Sequence, residues 1–155
     1  RSCTQYIFDV YLLRQAHYHT HYLPTFPTRR ASDLQQGQPL SEVRHKMVDS
    51  NIHHIPVLSG QHLVGMVSFT DMMKLNVVIN GADERTIDSI IDQQFEIKDI
   101  MSKDLTTLDA RDTIRQAADV LAENNFHAIP VTNNSGELEG MITSSDLIRY
   151  LSAQY

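Results

Sequence analysis

The sequence holds a single cysteine, Cys3, and no tryptophan. One thiol cannot close an intramolecular disulfide or build a cysteine-based metal site, so a soluble, reducing, cytoplasmic setting is expected. No apolar run approaches the roughly 18 residues needed to cross a bilayer, so neither a membrane span nor a membrane partner is expected. Positive charge is short as well: 13 Lys and Arg stand against 19 Asp and Glu, a formal net charge of −6. Binding to a phosphate backbone needs clustered Lys and Arg, so no nucleic-acid partner is expected. A single nucleotide, which needs only a few donors at one spot, is not excluded. No nucleophile–base pair or carboxylate dyad stands at a recognisable spacing, so no catalytic residue and no enzyme activity are expected.

What remains is 155 residues, 41% of them hydrophobic, enough for one compact domain or two small fused halves. The first 34 residues differ from the rest. They carry four of the six tyrosines, three of the eight histidines and two of the five prolines. Asp9 and Arg14 interrupt any signal-peptide core. The run from Pro24 to Leu34 resembles translated sequencing-adapter sequence, so residues 1–34 are read as a non-native or disordered segment. His17, His19 and His21 would share one face of a strand there, but no acidic or cysteine partner lies nearby. No metal site is expected.

The rest of the chain repeats itself, which is the first property to look for in any sequence. Asn51-Ile-His-His-Ile-Pro-Val57 recurs as Asn125-Phe-His-Ala-Ile-Pro-Val131, a shift of 74 (130 − 56). Leu63-Val-Gly-Met-Val-Ser-Phe-Thr-Asp-Met72 recurs as Leu138-Glu-Gly-Met-Ile-Thr-Ser-Ser-Asp-Leu147, a shift of 75 (146 − 71). The extra residue falls in a turn, where insertions are tolerated.

Each copy spells helix, strand, strand, helix. Ile114, Ala117, Ala118 and Leu121 follow helical spacing with Asp112 as N-cap, and Leu40, Val43, Met47 and Val48 form the matching face in the first copy. Short apolar strands are predicted over Ile55 to Leu58 and Ile129 to Thr132. Partners follow over Leu63 to Ser68 and Leu138 to Thr143, so each copy contains a hairpin. A leading strand, Leu105 to Leu108, precedes the second copy. The first copy's counterpart should lie near Phe26 to Leu34, and is expected to be missing or overwritten. Between the copies, Asp83-Glu84 caps a predicted helix whose Ile87, Ile90 and Ile91 form one face, either a packing connector or a dimer contact.

The pattern His-x-Ile-Pro-Val, a turn, then Gly-hydrophobic-hydrophobic-Ser/Thr-x-x-Asp, present twice, resembles the CBS-domain family, as does Asp99-Ile-Met101 before the leading strand. The resemblance covers Gln35 to Tyr155. It divides the chain into residues 35–78 as a first repeat without its front strand, 79–97 as a connecting helix, and 98–155 as a second repeat. It implies an α/β (α+β) fold of two βαββα units with mixed three-stranded sheets, packed about a pseudo-twofold axis with two clefts for adenosine-containing ligands. In the second cleft Asp146 would hold ribose, Thr143 and His127 phosphate, and Ile129, Pro130 and Thr107 would line the adenine side. In the first, Asp71, Ser68, His53, Ile55 and Pro56 would take the same roles. Gly65 and Gly140 would let another group approach closely.

Read from spacing alone, Ser/Thr-x-x-Asp is also a capping box, and the two roles can coexist. Lys74 and Arg149 lie three residues after the motif aspartates, placed either for an i,i+3 ion pair or to neutralise a polyphosphate. His54 aligns with Ala128 and is expected at the surface. The implied function is regulatory: an adenine nucleotide (AMP, ADP or ATP) as ligand, no required cofactor, and a homodimer. The alternatives are a ligand-free dimerisation or partner-binding scaffold, or the regulatory fragment of a larger enzyme or transporter. With Tyr155 directly after the last predicted helix, no catalytic domain is expected downstream.

Overall fold

The computed structural model describes residues 33–75, 83–124 and 126–152. The histidines at 17, 19 and 21 and the adapter-like run as far as Ser32 lie outside them. The first copy runs β1 (Leu34–Gln35), α1 (Leu40–Ser50), β2 (His54–Ser59), β3 (His62–Ser68) and α2 (Phe69–Met73). Two connecting helices follow, α3 (Glu84–Gln94) and α4 (Ile97–Ile100). The second copy is β4 (Leu108–Asp109), α5 (Ile114–Glu123), β5 (Ala128–Thr132), β6 (Leu138–Thr143) and α6 (Ser144–Ser152). Each copy folds a three-stranded mixed sheet with the His-x-Ile-Pro-Val strand in the centre. The α+β architecture read from the sequence is the one found.

The first copy's leading strand is present, contrary to expectation. Leu34–Gln35 pairs in parallel with Val57 and Leu58, just as Leu108–Asp109 pairs with Val131 and Thr132. Leu34 is 0% exposed in the first core, so the non-native reading does not extend to it. Two residues are too few to show an alternating pattern, which is why the strand escapes a periodicity search. The second copy's strand is also displaced: Leu105 to Thr107 lie before it, and pairing starts only at Leu108. Because the leading strands are so short, the first half of β2 and of β5 has a ladder partner on one side only, among the described residues. Pro56 and Pro130, buried in those halves, therefore interrupt no second ladder.

α1 ends at Asn51, which adopts the left-handed conformation (φ 51°) and returns its N–H to the carbonyls of Met47 and Val48. Leu40, Val43 and Met47 are buried, whereas Val48 is 66% exposed. At about 100° per residue Val48 sits some 80° round from Leu40 and further from Val43, off the buried stripe. In α5 the cap is Thr113, not Asp112. Its hydroxyl accepts from the Gln116 amide, and the Gln116 side chain accepts from the Thr113 amide at 2.8 Å.

The connector α3 is capped by Asp83, as its sequence predicts. It packs on α1, burying Ile91, with Asp92 accepting from the Ser41 hydroxyl (2.7 Å) and Asp88 from Arg44 (2.8 Å). Ile97 and Met101, in front of the second copy, are also buried in the first copy's core. The second core is separate, built on Leu108, Ala117, Leu121, Ile129, Val131 and Ile142. The two copies join at their hairpin turns. The Leu63 amide donates to the Gly136 carbonyl and the Leu138 amide to the Gln61 carbonyl, both at 3.1 Å. A shift of 75 carries one of these bonds onto the other (63 + 75 = 138; 61 + 75 = 136), which is the signature of a local twofold.

Candidate functional site

The Ser/Thr-x-x-Asp motifs sit where the hairpin ends and the last helix of each copy begins. Ser68 is extended (φ −100°, ψ 160°) and caps α2. Its hydroxyl donates to Asp71 Oδ2 at 2.6 Å and its amide to the same oxygen at 3.0 Å, while the Asp71 amide donates back to Ser68 Oγ at 3.2 Å. The second copy repeats this closely. Thr143 donates to Asp146 Oδ2 through its hydroxyl (2.6 Å) and amide (2.9 Å), and receives the Asp146 amide at 3.2 Å. The other carboxylate oxygen takes a cation in both copies, Lys74 at 2.8 Å and Arg149 at 3.0 Å. The capping box and the i,i+3 ion pair are therefore both formed. At Asp71, partial burial pushes the carboxyl up, but Lys74 and the Ser68 hydroxyl and amide outweigh it and hold the group below the usual carboxylate range.

The histidine of each copy is brought to the same place. The His53 carbonyl accepts from the Phe69 amide at 2.8 Å, and the His127 carbonyl from the Ser144 amide at 3.2 Å. Both histidines are exposed, and the His53 ring meets Phe69 edge-on at 5.9 Å between centroids. Histidine, hydroxyl and carboxylate are thus gathered at one end of each hairpin. Thr107 is exposed just before β4, and no hydrogen bond joins it to Thr143 or Asp146. Ile55 and Ile129 are buried side chains of the two cores, 0% and 1% exposed, with Pro56 and Pro130 buried beside them.

Two expectations need correction. A Cβ on Gly65 would stand 2.5 Å from Met101 Sδ and 3.1 Å from the Ser102 carbonyl oxygen. The group that approaches Gly65 is therefore the chain's own segment entering the second copy. Met66 and Ser102 exchange backbone hydrogen bonds of 3.0 and 2.9 Å there. His54, expected at the surface, is half-buried at the start of β2, opposite Ser68. Burial first, then the imidazoles of His127 and His53, lower its pKa, against an upward pull from Asp71. Nothing in the repeat could flag it, because its counterpart is alanine.

This chain matches the family described as CBS domain twice, over residues 34–77 and 97–153. The chain belongs to the CBS-domain family. Among relatives of this CBS-domain pair is the uncharacterized protein MJ1225 of Methanocaldococcus jannaschii, 28% identical over 128 residues, covering 81% of this chain and 45% of that protein. Its crystal structure superposes with a TM-score of 0.70 at 26% identity, covering 85% of this chain and 48% of the other. Inosine-5'-monophosphate dehydrogenase of Korarchaeum cryptofilum is 31% identical over 123 residues, which is 79% of this chain and 23% of the enzyme. The structure of CBSX2 in complex with AMP, a protein of Arabidopsis thaliana, gives a TM-score of 0.69 at 20% identity, covering 87% of this chain and 99% of that one. The CBS pair of MJ0100, with 5'-methylthioadenosine and S-adenosyl-L-methionine, gives 0.66 at 17%, covering 88% and 100%. This chain spans less than half the length of the first curated relatives it matches. No helix of the described residues is long and apolar enough to cross a membrane.

Proposed function

We propose that this CBS pair is a regulatory module that binds an adenine nucleotide or related adenosyl ligand and does no catalysis itself. The duplicated histidine–hydroxyl–carboxylate grouping carries the reading. Similar pairs crystallised with AMP, or with S-adenosyl-L-methionine and 5'-methylthioadenosine, support it. In the second copy, Asp146 would accept from the ribose hydroxyls through Oδ1 after Arg149 swings aside, since Oδ2 is already held by Thr143. Thr143 spends its hydroxyl proton on Asp146, so phosphate would rely on the α6 amides, His127 and the released Arg149. In the first copy, Asp71, Ser68, His53 and Lys74 correspond. α2 has only 5 residues against 9 in α6, so the second copy is the stronger site. Ile55, Pro56, Ile129 and Pro130, being buried, would meet adenine through backbone, with Thr107 at the edge.

Ligand binding shifts a conformational or oligomeric equilibrium by its difference in affinity between the states. The oligomer expected is a homodimer. Met73 and Ile148, equivalent at a shift of 75 (148 − 73), are 65% and 66% exposed on the closing helices, and Leu151 extends the apolar surface. The same surface favours the alternative reading, a dimerisation scaffold without a ligand. The relatives' greater length fits a regulatory part of a larger protein. A thermal-shift series with AMP, ADP, ATP and S-adenosylmethionine separates these readings, since a specific ligand raises stability by mass action. A rise with at least one is expected; no rise with any at millimolar concentration leaves the scaffold.

A further inference from the structure

His54 belongs to none of the roles above, yet it is the histidine drawn furthest into the protein. It opens β2 opposite Ser68, one residue after the bend that ties His53 to Phe69. His127, the second copy's counterpart of His53, lies close enough to act on it across the seam between the copies. Three imidazoles, two from one copy and one from the other, thus collect beside the first capping box. We propose that this cluster receives the phosphate of the bound nucleotide, and that His54 takes up a proton as it does so. The inference rests on the nucleotide-binding reading and assigns that site a proton linkage.

The groups around His54 give it this behaviour. His53 adjoins it in the same bend, His127 faces it from the lead into β5, and Asp71 faces it from α2 with one oxygen tied to Lys74. In the empty protein, burial and two neighbouring imidazoles disfavour a charge on His54, and Asp71 opposes them only in part. A phosphate dianion among the rings reverses that balance, because an opposite charge at contact distance favours the protonated form. The second copy has Ala128 at this position, so proton uptake is a property of one copy alone.

Calorimetric titration of the full chain with AMP near pH 6.5, in buffers of different ionisation enthalpy, counts the protons taken up. His54→Ala, which installs the second copy's own residue, and His54→Gln, which keeps a polar side chain, are the comparison proteins. AMP's own phosphate titrates near pH 6, so the quantity read is the difference between wild type and variant. The wild type is expected to take up more protons than either variant, by up to about one, with affinity rising up to about tenfold per pH unit lost. Adenosine, lacking phosphate, should show no difference between the proteins. AMP binding with equal proton uptake in all three overturns this inference and leaves nucleotide binding intact. No AMP binding to the wild type overturns both.

Discussion

His62 and Glu137 face each other in an antiparallel bridge, and they are the same position of the two copies (62 + 75 = 137). A residue paired with its own counterpart marks where the local twofold passes. The hydrogen bonds on either side, Leu63 to Gly136 and Leu138 to Gln61, make the contact a short shared ladder between the two hairpins.

The turn that completes this ladder depends on Gly136, whose φ is +77°. A Cβ there would meet only the His62 ring, at an ordinary 3.9 Å, so backbone strain is the whole penalty. Gly136→Ala is expected to lower stability by about 1–2 kcal/mol, and Gly136→Asn by less. Urea unfolding measures both, and equal stability of Gly136→Ala and wild type contradicts the assigned turn.

Gly65 is constrained by crowding instead. Gly65→Ala drives a methyl into Met101 and the Ser102 carbonyl, and is expected to cost about 1–3 kcal/mol. The thioether can move and the backbone cannot. Adding Met101→Ala should therefore restore part of the loss, but not all of it. Full restoration would mean that Ser102 is not held against β3.

Asp146→Ala removes both halves of the second capping box and frees Arg149. A stability loss of about 0.5–2 kcal/mol is expected, with AMP affinity falling to the limit of detection in the second copy. Titration calorimetry beside urea unfolding separates the two effects. Unchanged affinity with reduced stability would reduce the motif to a helix cap.

Two titrations give stability its pH dependence. Asp71 has a lowered pKa, so its contribution is complete above the unfolded value of 3.8 and is lost as pH falls through the lower folded value. His54 is lowered too, so protons bind the unfolded chain more readily, and stability falls as pH drops below the unfolded value of 6.5. In the absence of ligand, His54→Ala should flatten the loss below 6.5, and Asp71→Asn the loss below 3.8. Unfolding midpoints across pH test both, and an unaltered profile in either variant rejects that assignment.

The exposed apolar side chains of the closing helices bear on assembly. Ile148→Glu and Met73→Glu put charge on a surface that is already exposed, so the folded monomer should be unaffected while a dimer through that face dissociates. Sedimentation at matched concentration reports the outcome, and an unshifted wild-type dimer would place the interface elsewhere.

Much of this architecture was legible without coordinates because it is written twice. The duplicated hairpin, the two Ser/Thr-x-x-Asp boxes with their i,i+3 cations, and the Asp83 cap are short-range patterns, and local hydrogen bonding is enough to realise them. Leu34–Gln35 could not be seen in this way, since a two-residue parallel strand exists only through the β2 residues it meets. The same holds for Met101 against Gly65, for Ile97 in the first core, and for His54 beside His127. Those are contacts between residues far apart in the chain, and they exist only once the copies pack. Local periodicity and repetition determined the unit and its helix caps; the packing of one unit on the other decided which glycine is crowded and which histidine loses its water.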